Sequence, residues 1–381
     1  MAHTTDFLII GGGVIGCAVA YELSKKQATA VLVERGEIGQ EASSAAAGML
    51  SPLLESDGDD GFARFCLQAR SLFPDYLEEL RECTGVSIEW HHDGCLNIPM
   101  SEEEAFHIQQ QNQNAGPSTR LLSRQEVREI EPHVAWFPEP ALYSADPAHL
   151  DNAGYTRLLA QAANLGGVEL RTHEEIDRLL VQGDTVYGAR TSSSEIHAAR
   201  VINCSGAWAS RLSPSPESRL PVIPVRGQML SLTTETPLVR RLIYSKDCYL
   251  VPRNNSQLLV GATIERVGYD KRNTVDAIQK LTRGALDLYP DLKSATFSRM
   301  WAGLRPGTPD SLPILGIDPA WKGLIHATGH FRNGILLSAL TGKIIAELAI
   351  EQRSTIPLDQ FSPARFCQTN TKHEDAETLT L

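Results

Sequence analysis

Gly11, Gly13 and Gly16 stand at GxGxxG spacing directly after the apolar run Phe7–Ile10, and Glu34 closes a second apolar run, Ala30–Val33. Together these residues suit the recognition of a pyrophosphate and a ribose. Gly11 permits the tight turn, and Gly13 lets the backbone approach the diphosphate. Gly16 lets the following helix pack closely on its strand, with the helix N-terminus facing the phosphates. Val14 and Ile15 open that helix. Glu34 falls 18 positions after Gly16, where a carboxylate accepts hydrogen bonds from an adenosine ribose. Glycines at this spacing also occur in an ordinary βαβ corner. The complete strand–glycine–helix–strand–acid unit points to a dinucleotide.

Other elements must bring further groups to the same place. Apolar spacing predicts a helix over 60–83 with Asp60 as its cap, then a hairpin over 86–99 turning at Asp93–Gly94. Two Ser-x-x-Glu boxes, Ser101 with Glu104 and Ser123 with Glu126, open helices. The Pro-rich and aromatic stretch 132–148 reads as an irregular crossing. Residues 152–165 form a helix, 168–171 a strand, and 185–191 with 195–203 a ribbon whose second strand runs into Ser205 and Gly206. Strands are expected at 222–232, 249–252, 258–263 and 296–301, and a helix at 275–288. The strand 324–327 leads through Gly329, His330, Phe331, Arg332, Asn333 and Gly334 into an apolar helix from Ile335 to Ile350. Ligands of open α/β sheets sit beyond the carboxyl ends of the strands. Gly11, Ser205 and Gly329 each follow such an end, so they should meet on one cofactor.

The fold expected is α/β, a Rossmann-like dinucleotide domain interleaved with a mostly antiparallel α+β domain. The first would take residues 1–85, 146–220 and 302–364, and the second 86–145 and 221–301. A polar tail would occupy 365–381. The chain has 381 residues, 42% hydrophobic and 21% charged, with net charge −11. That balance, without a clustered basic patch, argues against a nucleic-acid surface. No uninterrupted apolar stretch reaches membrane-spanning length, and the apolar N-terminal run lacks a basic flank, so neither a membrane span nor a secretory leader is expected. Seven scattered cysteines without a CxxC pair suggest reduced thiols and a cytoplasmic protein. His91 and His92 have no metal spacing, and no metal is expected.

Four segments in order carry a family likeness: GGGVIG with Glu34; Ser43-Ser44-Ala45-Ala46-Ala47-Gly48-Met49-Leu50; Trp301-Ala302-Gly303-Leu304-Arg305-Pro306-Gly307-Thr308; and Gly329-His330-Phe331-Arg332-Asn333-Gly334-Ile335. The chain resembles the D-amino-acid-oxidase-like FAD oxidoreductases over nearly its full length, and within them the glycine-oxidising, thiamine-pathway members. The resemblance implies non-covalent FAD held by the glycine motif, Glu34, Arg35, Ser43, Ser44, Ala47, Gly48, Met49, Ser205, Gly206 and the 329–335 turn. It implies homo-oligomers, and oxidation of glycine, sarcosine or short D-amino acids by hydride transfer to flavin. The products would be the 2-oxo acid, ammonia and hydrogen peroxide, with molecular oxygen as acceptor.

A small amino acid offers its carboxylate as the one large handle, and a bidentate guanidinium suits it. Arg305, stiffened by Pro306, is the candidate. By resemblance Tyr249 shares that carboxylate, Arg332 lies near the substrate, and Met49 walls the pocket. His330 reads as a structural donor. No acid or base is assigned, since positioning supplies the acceleration if the amine arrives neutral. Asp247 stands where some relatives carry histidine, and Ser51 and Leu54 stand near the expected pocket entrance, so these three bear on substrate range. Competing readings of the same fold are a D-amino-acid dehydrogenase passing electrons to a quinone, a flavin domain acting on a tRNA-bound glycine-like group, and a non-catalytic flavin protein.

Overall fold

The structure is a computed structural model that describes residues 3–52, 61–112, 118–254 and 256–367. Asp60 and Leu54 lie outside the described residues. Strand β1 (His3–Ile10), helix α1 (Val14–Lys25) and strand β2 (Ala30–Val33) form the expected opening unit. β1 pairs in parallel with β2 and with the Glu195–Asn203 strand, which pairs in parallel with Leu324–Thr328. These central strands are buried on both faces: Leu8, Ile9, Leu32, Val201 and Ile202 are all near zero exposure. Parallel strands covered on both sides require such unbroken apolar runs. The Asn152–Leu165 and Gly334–Glu351 helices pack beside α1, and Gly342 lets the latter approach so closely that an added Cβ would lie 2.9 Å from Ala18 backbone.

A second sheet runs Thr296–Gly307, Ile223–Thr233, Gln257–Gly261, Tyr249–Pro252, Leu242–Tyr244, Cys95–Asn97, Ala141–Ser144, Thr119–Leu122. It is antiparallel except where Leu242–Tyr244 meets Cys95–Asn97. A small third sheet joins Met49–Leu50, Ala148–Leu150 and Trp90–His91.

Several expectations differ from what forms. The helix expected over 60–83 is two helices, Gly61–Ser71 and Phe73–Thr84, because Pro74 sits in the first turn of the second, where a missing N–H costs nothing. Gly94 does turn the chain at φ +75, yet 86–99 is no hairpin: Trp90–His91 and Cys95–Asn97 leave for different sheets. Burying Cys95 and Leu96 against distant strands outweighs a local pairing. The crossing 132–148 contains the strand Ala141–Ser144. The Thr296–Gly307 strand continues past Trp301 as far as Gly307, so Arg305 belongs to the second sheet. The Ser123–Glu126 capping box forms completely.

Candidate active site

The carboxyl ends of β1, Glu195–Asn203 and Leu324–Thr328 bring Gly11, Ser205–Gly206 and the 329–334 turn to one edge. A cavity of about 540 Å³ runs along that edge and reaches the second sheet. Gly11, Gly13, Val14, Ile15, Glu34 and Arg35 line one stretch, and Ser205, Gly206, His330, Arg332, Gly334 and Ile335 another. Gly11 adopts φ +108, and a Cβ there would stand 2.6 Å from the Cys204 carbonyl oxygen. Gly16 does not line the cavity; its missing side chain makes room for the Gly11 carbonyl. The Glu34 carboxylate accepts hydrogen bonds from the N–H groups of Gly12 (2.7 Å) and Gly36 (2.9 Å). A carboxylate has further lone pairs, so it can accept from a ligand hydroxyl as well. Arg35 stacks on Trp208 at 3.7 Å and pairs with Glu41 at 2.9 Å.

The segment after β2 closes over the start of α1. Ser43 lines the cavity, and its hydroxyl accepts from the Val14 N–H at 2.8 Å. Ser44 is outside the lining, its N–H bonded to the Gly39 carbonyl at 2.9 Å. Ala47, Gly48 and Met49 line the cavity. Ser51 does not: it is buried, and its hydroxyl has no hydrogen-bond partner among the described residues. Gly329 and Asn333 also lie outside the lining. Gly329 provides the φ of +74 that the turn needs, and the Asn333 N–H donates to the His330 carbonyl at 2.8 Å. His330 is buried with Nε2 3.2 Å from the Thr341 hydroxyl, and burial pushes its pKa down to about 3, so its ring is neutral.

The far wall belongs to the second sheet. Gly227 faces Gly303 and Met229 faces Trp301 across the strand pair, with Arg305 two residues past Gly303 on the same face. The Arg305 guanidinium lies over Gly227, where an added Cβ would fall 2.2 Å from Nη1, and it donates to the Thr263 carbonyl at 3.0 Å. The Tyr249 ring fills the space that Gly261 leaves open, and its hydroxyl is 3.5 Å from Met229 Sδ. The Phe331 N–H donates to the Pro306 carbonyl at 3.1 Å, which ties the Arg332 turn to the Arg305 strand. Arg305, Tyr249, Arg332 and Met49 thus share one cavity. Asp247 does not join them. It lies exposed in the turn before Tyr249, its Cβ 3.5 Å from the Cβ position of Gly284 on the Val275–Leu288 helix. Sequence reasoning missed Gly227, Gly261, Met229 and Trp208. A glycine inside a strand is a sign of close approach, and Gly227 carried that sign.

The cavity fits a long, two-ended ligand. Side-chain-free backbone and a helix N-terminus suit its pyrophosphate, Glu34 suits a ribose, and cationic and phenolic groups stand at the opposite end. The FAD-dependent oxidoreductase family DAO matches residues 6–348. Glycine oxidase from Geobacillus kaustophilus is 35% identical over 371 residues, covering 96% of this chain and 98% of that one. Its crystal structure superposes with a TM-score of 0.91, covering 96% of this chain and 99% of that one. The hydrogen cyanide synthase subunit HcnC of Pseudomonas aeruginosa is 34% identical, covering 96% and 97%. The bifunctional protein ThiO/ThiG of Trichormus variabilis is 36% identical over 95% of this chain, which spans only 55% of that protein's length.

The chain belongs to the DAO family of FAD-dependent oxidoreductases. It is an FAD enzyme of the glycine oxidase and D-amino-acid oxidase type. Among the described residues no helix is long and apolar enough to cross a membrane, and no cluster of three or more His, Cys, Asp or Glu could hold a metal.

Proposed function

We propose that the protein oxidatively deaminates glycine and other small amines, sarcosine and short D-amino acids among them. Molecular oxygen and water would be consumed, and glyoxylate (or the matching 2-oxo acid), ammonia (methylamine from sarcosine) and hydrogen peroxide released. The observation that carries this reading is the Arg305 guanidinium laid across Gly227 inside the cofactor cavity. Bound FAD supplies the hydride acceptor.

Arg305 holds the substrate carboxylate in two charge-assisted hydrogen bonds, and Tyr249 donates a third from its hydroxyl. Arg332, tied through its neighbour to Pro306, adds positive potential at the same end. Met49 and Met229 form an apolar wall that limits the side chain the site admits. Positioning of Cα by these groups supplies most of the acceleration, and no side chain is required as a base if the amine arrives neutral. The Gly11–Gly16 turn and Glu34 hold the adenosine diphosphate part, and the 329–335 turn holds the flavin part. We place the enzyme in the cytoplasm as a homo-oligomer, supplying the imine or oxo product of glycine for thiazole formation in thiamine synthesis.

A substrate panel on the purified flavoprotein tests this reading, with flavin bleaching followed anaerobically and peroxide aerobically. Glycine should bleach the flavin and yield one peroxide per turnover. No bleaching by any amine would end it. The 34% identity to HcnC over almost the whole chain supports a second reading, in which glycine is oxidised by four electrons to hydrogen cyanide and carbon dioxide, the electrons passing to an acceptor other than oxygen. Cyanide without peroxide would select it, and dye reduction without either product would point to a dehydrogenase.

A further inference from the structure

Three side chains from distant parts of the chain hold carbonyls of the 43–49 segment, Asn152 Nδ2 reaching the Ser44 carbonyl at 3.3 Å as well as that of Ser43. Asn152 Nδ2 donates to the Ser43 carbonyl at 2.7 Å and Trp301 Nε1 to the Ala45 carbonyl at 3.0 Å. Arg253 Nη2 donates to the Ala47 carbonyl at 2.8 Å. Arg253 also reaches Asn152 Oδ1 at 3.1 Å and His149 Nδ1 at 3.2 Å. Guanidinium can only donate. His149 Nδ1 must therefore carry the lone pair and Nε2 the proton, and that buried Nε2 has no partner among the described residues. Burial and the adjacent Arg253 cation drive the His149 pKa to about 3, so the ring stays a neutral acceptor. Gly48 adopts φ +70, and a Cβ there would lie 2.1 Å from the Leu150 carbonyl and 3.0 Å from Arg253 Nη2.

Arg253 immediately follows the Tyr249–Pro252 strand. One short strand therefore presents a phenol to the cavity at its start and, just past its end, a guanidinium to the carbonyl of the cavity-lining Ala47. Arg253 does not itself line the cavity. We infer that Arg253 is a positioning residue. By fixing the Ala47 carbonyl it sets where Ala47, Gly48 and Met49 stand relative to Tyr249, and so sets both the cofactor contact and the width of the substrate slot. The inference rests on the reading of this cavity as the site where flavin and amine meet.

The test uses the full chain with FAD and the variants Arg253→Met and Arg253→Lys. FAD affinity is measured by titrating the apoprotein, with the flavin absorption envelope and steady-state constants for glycine alongside. Hydrogen bonds from a charged donor are worth enough that Arg253→Met should hold FAD about tenfold more weakly. Its visible flavin bands should shift, and KM for glycine should rise more than kcat falls. Arg253→Lys keeps the charge but not the fork, so it should recover most of the FAD affinity while KM stays raised.

Wild-type FAD affinity, band shape and KM in Arg253→Met would overturn the inference. If that variant does not fold, wild-type values in Arg253→Lys would overturn it equally. A wild-type protein that binds FAD but ignores glycine would refute the proposed function alone. Weakened FAD binding with shifted bands in the variants would then still uphold Arg253 as a positioning residue.

Discussion

At Gly16 the room for a side chain is taken by the carbonyl of Gly11, five residues back; at Gly227 it is taken by the guanidinium of Arg305, 78 residues on. Both are glycines because something else must occupy the space. The first neighbour is dictated by a local strand–turn–helix path, so the pyrophosphate end of the cavity is built from backbone and short range. The second exists only through the register of two antiparallel strands, with Gly227 opposite Gly303 and Arg305 opposite Val225. The substrate end is thus made of side chains whose positions depend on sheet pairing. A cofactor grip can be written in one stretch of chain, whereas a substrate grip needs several strands to agree.

The contrast breaks most sharply at Arg305. Arg305→Ala should cost about 2–5 kcal/mol in kcat/KM for glycine, since a desolvated carboxylate loses its charged partner. FAD content should remain that of the wild type. An unchanged kcat/KM, measured with glycine under air, removes Arg305 from the substrate end. Gly227→Ala tests the same grip without touching a charged group. Its Cβ would enter the guanidinium plane, so Arg305 must move or the strands part, at about 2–3 kcal/mol in kcat/KM. If the glycine kinetics are normal in that variant, the strand register does not set the position of Arg305.

Glu34→Ala should act at the other end. The carboxylate holds two backbone N–H groups of the nucleotide turn as well as its expected ribose contact. Its loss should weaken FAD by about 1–3 kcal/mol, read by titrating the apoprotein. Turnover of the FAD-saturated variant should stay near wild type. A fall in kcat at saturating FAD, with affinity intact, would mean the two ends are not separable.

The same division governs what could be read before any coordinates. β1, α1, β2 and the 152–165, 185–191 and 275–288 elements followed from apolar period and punctuation, because those signals are local. So did the meeting of Gly11, Ser205 and the 329–334 turn, since strand ends of a parallel sheet share an edge. The 86–99 hairpin failed for the converse reason: Asp93–Gly94 does turn, but the flanking strands find better apolar partners far away. Asp247 was singled out because it stands, two positions before Tyr249, where some relatives carry histidine. A turn residue just outside a strand is under no obligation to share that strand's buried face, and this one faces the Val275–Leu288 helix. Arg253 and Gly227 showed nothing locally beyond an arginine after a proline and a glycine in a strand. Their partners, the Ala47 carbonyl and Arg305, become neighbours only when the sheets form.

Tyr249→Phe offers the finest cut between the two ends. The ring sits where Gly261 has no side chain, so phenylalanine keeps the packing and removes the hydroxyl alone. That hydroxyl's contact with Met229 Sδ is weak, since a thioether is a poor acceptor. The melting temperature is the control that separates lost stability from lost substrate grip. If the hydroxyl donates to the substrate carboxylate beside Arg305, kcat/KM for glycine should fall by about 0.5–1.5 kcal/mol through KM. FAD affinity should not move, because the cofactor grip is built elsewhere. A substrate without a carboxylate, such as a simple primary amine, should be oxidised by Tyr249→Phe and wild type alike, however slowly. Equal losses on both substrates would show that the phenol shapes the slot rather than reads the carboxylate, and would leave Arg305 to do that reading alone.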